Sequence, residues 1–256
     1  MASTVLVTGA SSGIGATYAD RFARRGHNLV LVARNAARLE ALASRLTQDT
    51  GVTIDILQGD LTRPDDLEAV EARLREDTRI EVLVNNAGAA LSGSFIGQTP
   101  RDVGRLIALN TTAVACLASA VAPRFAAAGA GAIVNVSSVV GLAPEFGMSV
   151  YGATKAFVTF LSQSLALELG PRGVYVQAVL PSATRTDIWD GVDAARLASM
   201  MDVGTLVDAA LVGFDRREAI TLPVLTDAAR WDDYEAARKA MVPDFACSQP
   251  AARYQG

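Results

Sequence analysis

The sequence predicts an α/β fold: one doubly wound parallel sheet of about seven strands, with helices on both faces. Three observations predict it. Short β-branched apolar runs alternate with helix-periodic segments along almost the whole chain, with no linker, repeat or low-complexity block. Several of the runs, such as NLVLVA at 28–33, are continuously apolar, the character of a strand covered on both faces. The first run stops at a glycine-rich turn and then a helix, over residues 8–15. The 256 residues are half hydrophobic and one-fifth charged (50% and 20%), which suits a single domain spanning 1–256.

Residues 5–7 form the first strand. Gly9-Ala10-Ser11-Ser12-Gly13-Ile14-Gly15 follows, and helical periodicity then runs to Arg25 through Tyr18, Phe22 and Ala23. Glycines in such a turn let backbone approach a pyrophosphate, and the free N–H groups of the helix start attract the anion; a plain tight turn uses glycine as well. The second strand, 28–33, leads directly into Arg34. A carboxylate at this strand end suits the ribose 2′-hydroxyl of NAD, whereas an arginine suits a 2′-phosphate, so NADP(H) is expected ahead of NAD(H). Residues 35–48 are helical through Leu39, Leu42 and Leu46. The third strand, 52–57, ends in Gln58-Gly59-Asp60-Leu61, where Asp60 either meets an adenine edge or caps the helix that begins at Pro64. The fourth, 80–84, closes in Asn85-Asn86-Ala87-Gly88, small enough for a ligand to lie on the backbone, or simply a turn. A helical pattern over 101–128 carries Asn110, a polar residue among apolar ones, read as buried structure or as the holder of a water. The fifth strand is 132–136, the next helix 151–169, and the sixth strand 174–180, which ends in Pro181-Ser182-Ala183-Thr184-Arg185-Thr186. Residues 187–214 are apolar and irregularly helical, 219–222 a last strand, and 228–241 a final helix with Trp231 and Tyr234; the tail from Pro243 is irregular.

Tyr151 and Lys155 stand four apart, so a helix carries them on one face. The lysine is expected to lower the phenol from its ordinary value of ~10 towards the range useful for proton transfer. Ser138 follows the fifth strand and is placed to hydrogen-bond an oxygen held by the tyrosine. Other chemistries find little support. The net charge is -4 and the pI near 5.1, so no basic footprint suggests nucleic acid. Cys116 and Cys247 lie far apart and His27 is the one histidine, so no metal site is expected. Neither a signal peptide nor a membrane span is read, and the chain is expected to be cytoplasmic.

Taken together, Thr8-Gly9-Ala10-Ser11-Ser12-Gly13-Ile14-Gly15, Asp60, Asn85-Asn86-Ala87-Gly88, Asn110, Ser138 and Tyr151-x-x-x-Lys155 make the sequence resemble the short-chain dehydrogenase/reductase family, with its Rossmann-type fold, over nearly its whole length. The resemblance implies that Gly9, Ser11, Ser12, Gly13 and Ile14 frame the pyrophosphate, Arg34 the 2′-phosphate, and Asp60 and Leu61 the adenine. It implies that Asn86, Ala87 and Gly88 line the adenosine ribose and the nicotinamide side, with Pro181, Thr184 and Thr186 beside the carboxamide. Lys155 would hold the nicotinamide ribose and tune Tyr151, the general acid–base; Ser138 would steady the reacting oxygen, and Asn110 a water behind Lys155. Hydride chemistry belongs to the cofactor. Two departures stand out: Ser182 replaces the usual glycine and Thr184 the usual Val or Ile.

The expected substrate is a small hydrophobic ketone or its secondary alcohol, walled by 141–147 and 182–201 with Phe146, Trp189, Met200 and Met201, although each of these equally suits plain core. Two other readings are open: reduction of a 3-oxoacyl thioester on an acyl carrier protein, to which Arg101 and Arg105 could contribute, and a silent NADP-sensing module. Relatives pair long helices across a two-fold, so a homodimer or homotetramer is expected.

Overall fold

The central apolar runs form strands covered on both faces, while the edge strand at 54–58 is only half-buried. The computed structural model describes residues 3–91, 93–186, 197 and 199–255. Within them, β1 (Thr4–Thr8), β2 (Asn28–Ala33), β3 (Ile54–Gln58), β4 (Ile80–Asn85), β5 (Ala132–Val136), β6 (Tyr175–Val179) and β7 (Ile220–Thr221) make one parallel sheet. Its order is β3-β2-β1-β4-β5-β6-β7. Every residue of β1, β5 and β6 is buried, as the absence of polar alternation in these runs requires.

Alternate side chains of each strand feed two cores. On one face Val5, Val7, Leu29 and Leu31 meet Tyr18 and Phe22 of α1 (Gly13–Arg24), Leu39 and Leu46 of α2 (Ala36–Thr50), and Val207 and Leu211 of α7 (Val203–Asp215). On the other, Leu6, Val30, Leu83 and Ile133 meet Val70 and Leu74 of α3 (Pro64–Glu76), Leu117, Val121 and Phe125 of α5 (Ala113–Ala128), and Leu169 of α6 (Ser149–Leu169). The sheet and these helices lie in a compact unit that ends at Pro223. A second, small unit from Val224 holds α8 (Ala229–Ala240) and two short 3-10 turns.

The helix expected over 101–128 is interrupted. It comprises α4 (Pro100–Ile107), a π-helical turn (Ala108–Thr112) and α5. By length and composition Pro100–Ala128 would suffice to cross a membrane; here its apolar side chains Leu106, Val114, Leu117, Val121 and Phe125 are buried within the fold. Asp60 is not the cap of α3, whose N-cap is Arg63. Instead the Asp66 carboxylate accepts from the Asp60 N–H (2.8 Å).

The strand order reverses between β1 and β4, and a crevice opens there at the carboxyl ends. Side chains clasp the two strands at that point. Thr8 Oγ1 accepts from the N–H groups of Asn86 and Ala87 (both 3.0 Å), and Asn86 Nδ2 donates to the carbonyls of Thr8 (2.9 Å) and Gly9 (3.3 Å). The clasp needs glycine beside it. Gly9 is left-handed (φ 64°), and a Cβ there would lie 2.8 Å from Asn86 Nδ2. A Cβ on Gly15 would strike the Gly9 carbonyl and the same amide. Gly15→Ala should therefore lower stability by roughly 1–3 kcal/mol through overpacking. Gly104→Ala, on open surface within α4, should instead be neutral or stabilising by up to about 1 kcal/mol. Urea unfolding of the two variants checks the contrast.

Candidate active site

The crevice is a cleft of about 1070 Å³ lined by residues of all the predicted motifs but one. Gly9, Ser11, Ser12, Gly13 and Ile14 line one end. The Ser12 side chain makes no capping bond and the first turn of α1 carries no acid, so this helix start is left for an anion. Gly13 packs close to Thr186 across the cleft: a Cβ on Gly13 would come within 3.1 Å of Thr186 Cγ2. Arg34, Asp60 and Leu61 line the cleft too, as do Asn86, Ala87, Gly88, Pro181 and Thr184. The Asn86 amide is committed to Thr8 and Gly9, so this residue shapes the cleft floor rather than presenting a free amide to a ribose.

Ser138, Tyr151 and Lys155 converge at the opposite end. Residues after a strand point out of its carboxyl edge, which puts Ser138 at the lip of β5. Its hydroxyl donates to the Pro181 carbonyl (3.2 Å), accepts from Val140 N (3.3 Å) and lies by the Tyr151 phenol. Lys155, one turn along α6, reaches over the Tyr151 ring, 5.7 Å from its centroid. Its ammonium donates to the carbonyl of Val136, the last residue of β5, at 2.8 Å. Ser137 fixes α6 from the same strand end by donating to the Lys155 carbonyl (2.7 Å).

Among the expected catalytic and cofactor-binding residues, Asn110 alone does not line the cleft. It sits in the π turn, buried, behind Gly88. Its Oδ1 accepts from Ala89 N (3.0 Å), and its Nδ2 donates to Ala89 O (2.9 Å) and Thr154 Oγ1 (3.1 Å). Thr154 in turn donates to the Tyr151 carbonyl (2.7 Å). A π turn inserts one extra residue into the helical repeat, and here it aims an amide at the β4 loop and at α6 together.

The phenol does not follow the sequence expectation. Burial raises the Tyr151 pKa above its ordinary value, the Ser138 hydroxyl only partly opposing it. The lysine is itself depressed to about 8 by burial. Desolvation disfavours the charged form of each, an effect no spacing in sequence reveals.

A family model described as short chain dehydrogenase matches residues 3–197. The chain belongs to the short-chain dehydrogenases. It is an oxidoreductase of that family. A solved short-chain dehydrogenase from Sphingobium yanoikuyae in complex with NADPH is 64% identical, with 98% of this chain and 100% of that one covered and a TM-score of 0.96. The bulky-bulky ketone specific alcohol dehydrogenase from Comamonas testosteroni is 57% identical, with 99% of each chain covered and a TM-score of 0.93. The 17-beta-hydroxysteroid dehydrogenase type 3 of Rattus norvegicus is 31% identical over 204 residues, 79% of this chain and 66% of that protein. The chain spans 60% of the Homo sapiens form, so it covers less than two thirds of the length of these two hydroxysteroid dehydrogenases.

Both departures from the short-chain dehydrogenase pattern are accommodated. Arg217 is the one non-glycine with positive φ among the described residues, so Ser182 occupies backbone that any residue adopts. Thr184 keeps a β-branched shape, and its hydroxyl is satisfied locally by the Ser182 carbonyl (2.9 Å). Phe146 and Met148 line the cleft, whereas Met200 is buried core. Trp189 lies outside the described residues. Thr62, Arg105, Leu91 and Met148 also line the cleft; sequence carried no signal for Leu91 or Met148, and Arg105 only a charge.

The Lys155 value in the folded chain lies below the unfolded one, so its ammonium costs stability fully below about pH 8, and the cost fades as pH rises to 10.5, where lysine is neutral in both states. Lys155→Met should be more stable than the parent by roughly 1–3 kcal/mol at pH 7, the lost hydrogen bond offsetting part of the gain. The gain should shrink steadily between pH 8 and 10.5. Urea titrations across that range measure it; a gain independent of pH would contradict it.

Proposed function

We propose that the protein is an NADPH-dependent carbonyl reductase, reversible as an alcohol dehydrogenase, with Tyr151 as general acid–base. The convergence of Ser138, Tyr151 and Lys155 at one end of a dinucleotide-sized cleft carries the reading. The preference for NADPH rests on Arg34 at the end of β2, with no acid between positions 33 and 39. The NADPH complex of the 64% identical relative supports it. The helix start at Ser12–Gly13 would hold the pyrophosphate, and Lys155 the nicotinamide ribose.

When bound, the nicotinamide supplies the hydride to the carbonyl carbon. The residues handle the oxygen. Ser138 donates a hydrogen bond to it, and Tyr151, protonated at neutral pH as a phenol ordinarily is, gives it the proton. The Lys155 ammonium nearby stabilises the phenolate as it forms. Asn110 positions Tyr151 through Thr154 and holds the Ala89 backbone at the cleft wall.

Leu91, Val140, Phe146, Met148 and Ala183 form a wide, apolar wall over the reacting end, which suits a ketone with hydrophobic substituents, aryl or alicyclic. The specificity named for the 57% identical relative supports bulk on both sides of the carbonyl. Phe157, Phe160 and Leu167, exposed along α6, support pairing of two copies through that helix.

Tyr151→Phe should lower kcat by about 100-fold or more and leave NADPH binding within about twofold, as measured by steady-state kinetics and by titrating NADPH fluorescence. A variant with parental kcat would rule out the assigned role. Arg34→Ala should weaken NADPH by about tenfold, the loss of one charge-assisted phosphate contact, and leave NADH nearly unchanged; equal effects on the two would refute the assignment of the 2′-phosphate.

A further inference from the structure

We infer that the Ser182 hydroxyl makes the protein selective for ketones that carry a second oxygen on the carbon next to the carbonyl. The inference deepens the carbonyl-reductase reading above and rests on it. Ser182 stands where the short-chain dehydrogenase pattern has glycine, so a hydroxyl is added at a cleft-lining position where that pattern has none. The residue is half-buried and its main chain is held on both sides. The preceding carbonyl, of Pro181, accepts from Ser138 Oγ (3.2 Å) and from Val139 N (3.0 Å). The carbonyl of Ser182 itself accepts from Thr184 Oγ1 (2.9 Å). The Ser182 hydroxyl has no hydrogen-bond partner among the described residues.

The contacts of this loop sort its hydroxyls by place. Thr186 packs against Gly13, at the start of α1. Thr184 is buried and its hydroxyl is committed to the loop. Ser182 adjoins the carbonyl that Ser138 binds, so it belongs to the reacting end. The reacting oxygen is not its partner there. A ketone oxygen has two lone pairs, and Ser138 and Tyr151 take both. The rest of the wall, with Leu91, Val140, Phe146 and Met148, is apolar. A bound ketone displaces water from it. If the ketone bears only hydrocarbon substituents, the Ser182 hydroxyl is left dry and unpaired, which costs its full desolvation. An ether, hydroxyl or carbonyl oxygen on the adjacent carbon accepts the Ser182 proton and removes that cost. The two oxygens of such a substrate lie side by side, as do the two serine-bearing loops that the Ser138–Pro181 bond joins. A site that presents a hydrogen-bonding group discriminates in this way against an analogue lacking the partner.

Ser182→Ala removes no side-chain bond among the described residues, so it should fold as the parent does. The probes are α-methoxyacetophenone and butyrophenone, which differ by one ether oxygen in place of a methylene. Their difference in intrinsic reactivity cancels when the ratio of their kcat/KM values is compared between parent and variant. Ser182→Ala should lower the ratio of the ether to the hydrocarbon ketone by roughly threefold to tenfold, and Ser182→Thr, which keeps the hydroxyl, should hold it within about twofold of the parent. The NADPH dissociation constant of Ser182→Ala, read by fluorescence titration, should stay close to the parental value. An unchanged ratio in Ser182→Ala with NADPH binding intact would overturn the inference. Equal losses on both ketones with weaker NADPH binding would overturn it in favour of a contact with the carboxamide, and equal losses with NADPH binding intact in favour of the reacting oxygen. A parent that reduces neither ketone with NADPH would overturn the carbonyl-reductase reading together with the inference, and so separates that failure from the others.

Discussion

The Lys155 ammonium rests on the last carbonyl of β5, almost out of water, and the reacting end of the cleft is arranged to keep it there. The lysine can reach that carbonyl only if α6 starts close to the sheet edge. Ser137 secures the approach by binding the Lys155 carbonyl, and glycines remove the obstacles to it. A Cβ on Gly141 would lie 2.7 Å from Ala156 N, and one on Gly152 would lie 3.0 Å from the Val140 carbonyl. The loop that carries Ser138 is thereby pressed against the first turns of α6. Serine, phenol and ammonium come together as a consequence of main-chain packing, and a desolvated cation is what that packing costs.

The two ends of the cleft obey different physics. At the reacting end, charge is scarce and buried, so small changes in solvation decide which protons are held. At the nucleotide end, Arg34, Arg38, Asp60 and Arg105 are at the surface or close to it. There water screens each interaction and no single pair is strong. On the proposed function, selectivity at that end would come from the sum of several weak charges, and grip from the backbone amides at the start of α1.

The alternation of apolar runs made the sheet legible from sequence, because both-face burial leaves a mark on composition. Tyr151 and Lys155 were legible because a helix turns spacing into proximity, and Ser138 because it closes a strand. The Asp60–Arg105 pair was not, since nothing local links positions so far apart in the chain. The π turn at 108–112 was equally invisible: it changes which carbonyl each N–H meets and leaves residue types untouched. The direction of the Tyr151 shift failed for a third reason. Proximity to a cation can be read from spacing, but the burial that raises the phenol, with the Ser138 hydroxyl opposing it in part, depends on everything packed around the ring.

The π turn has one more consequence. One additional residue in the repeat rotates everything before it by about 100° relative to everything after. Two rods that look like one helix are therefore out of phase, and each answers to a different master. α5 is indexed to the sheet through Leu117, Val121 and Phe125, while α4 presents Asp102, Arg105 and Leu106 to the cleft. The dislocation sets the side of α4 that faces the cleft apart from the side of α5 that packs on the sheet, and Asn110 sits on the fault line as the pin.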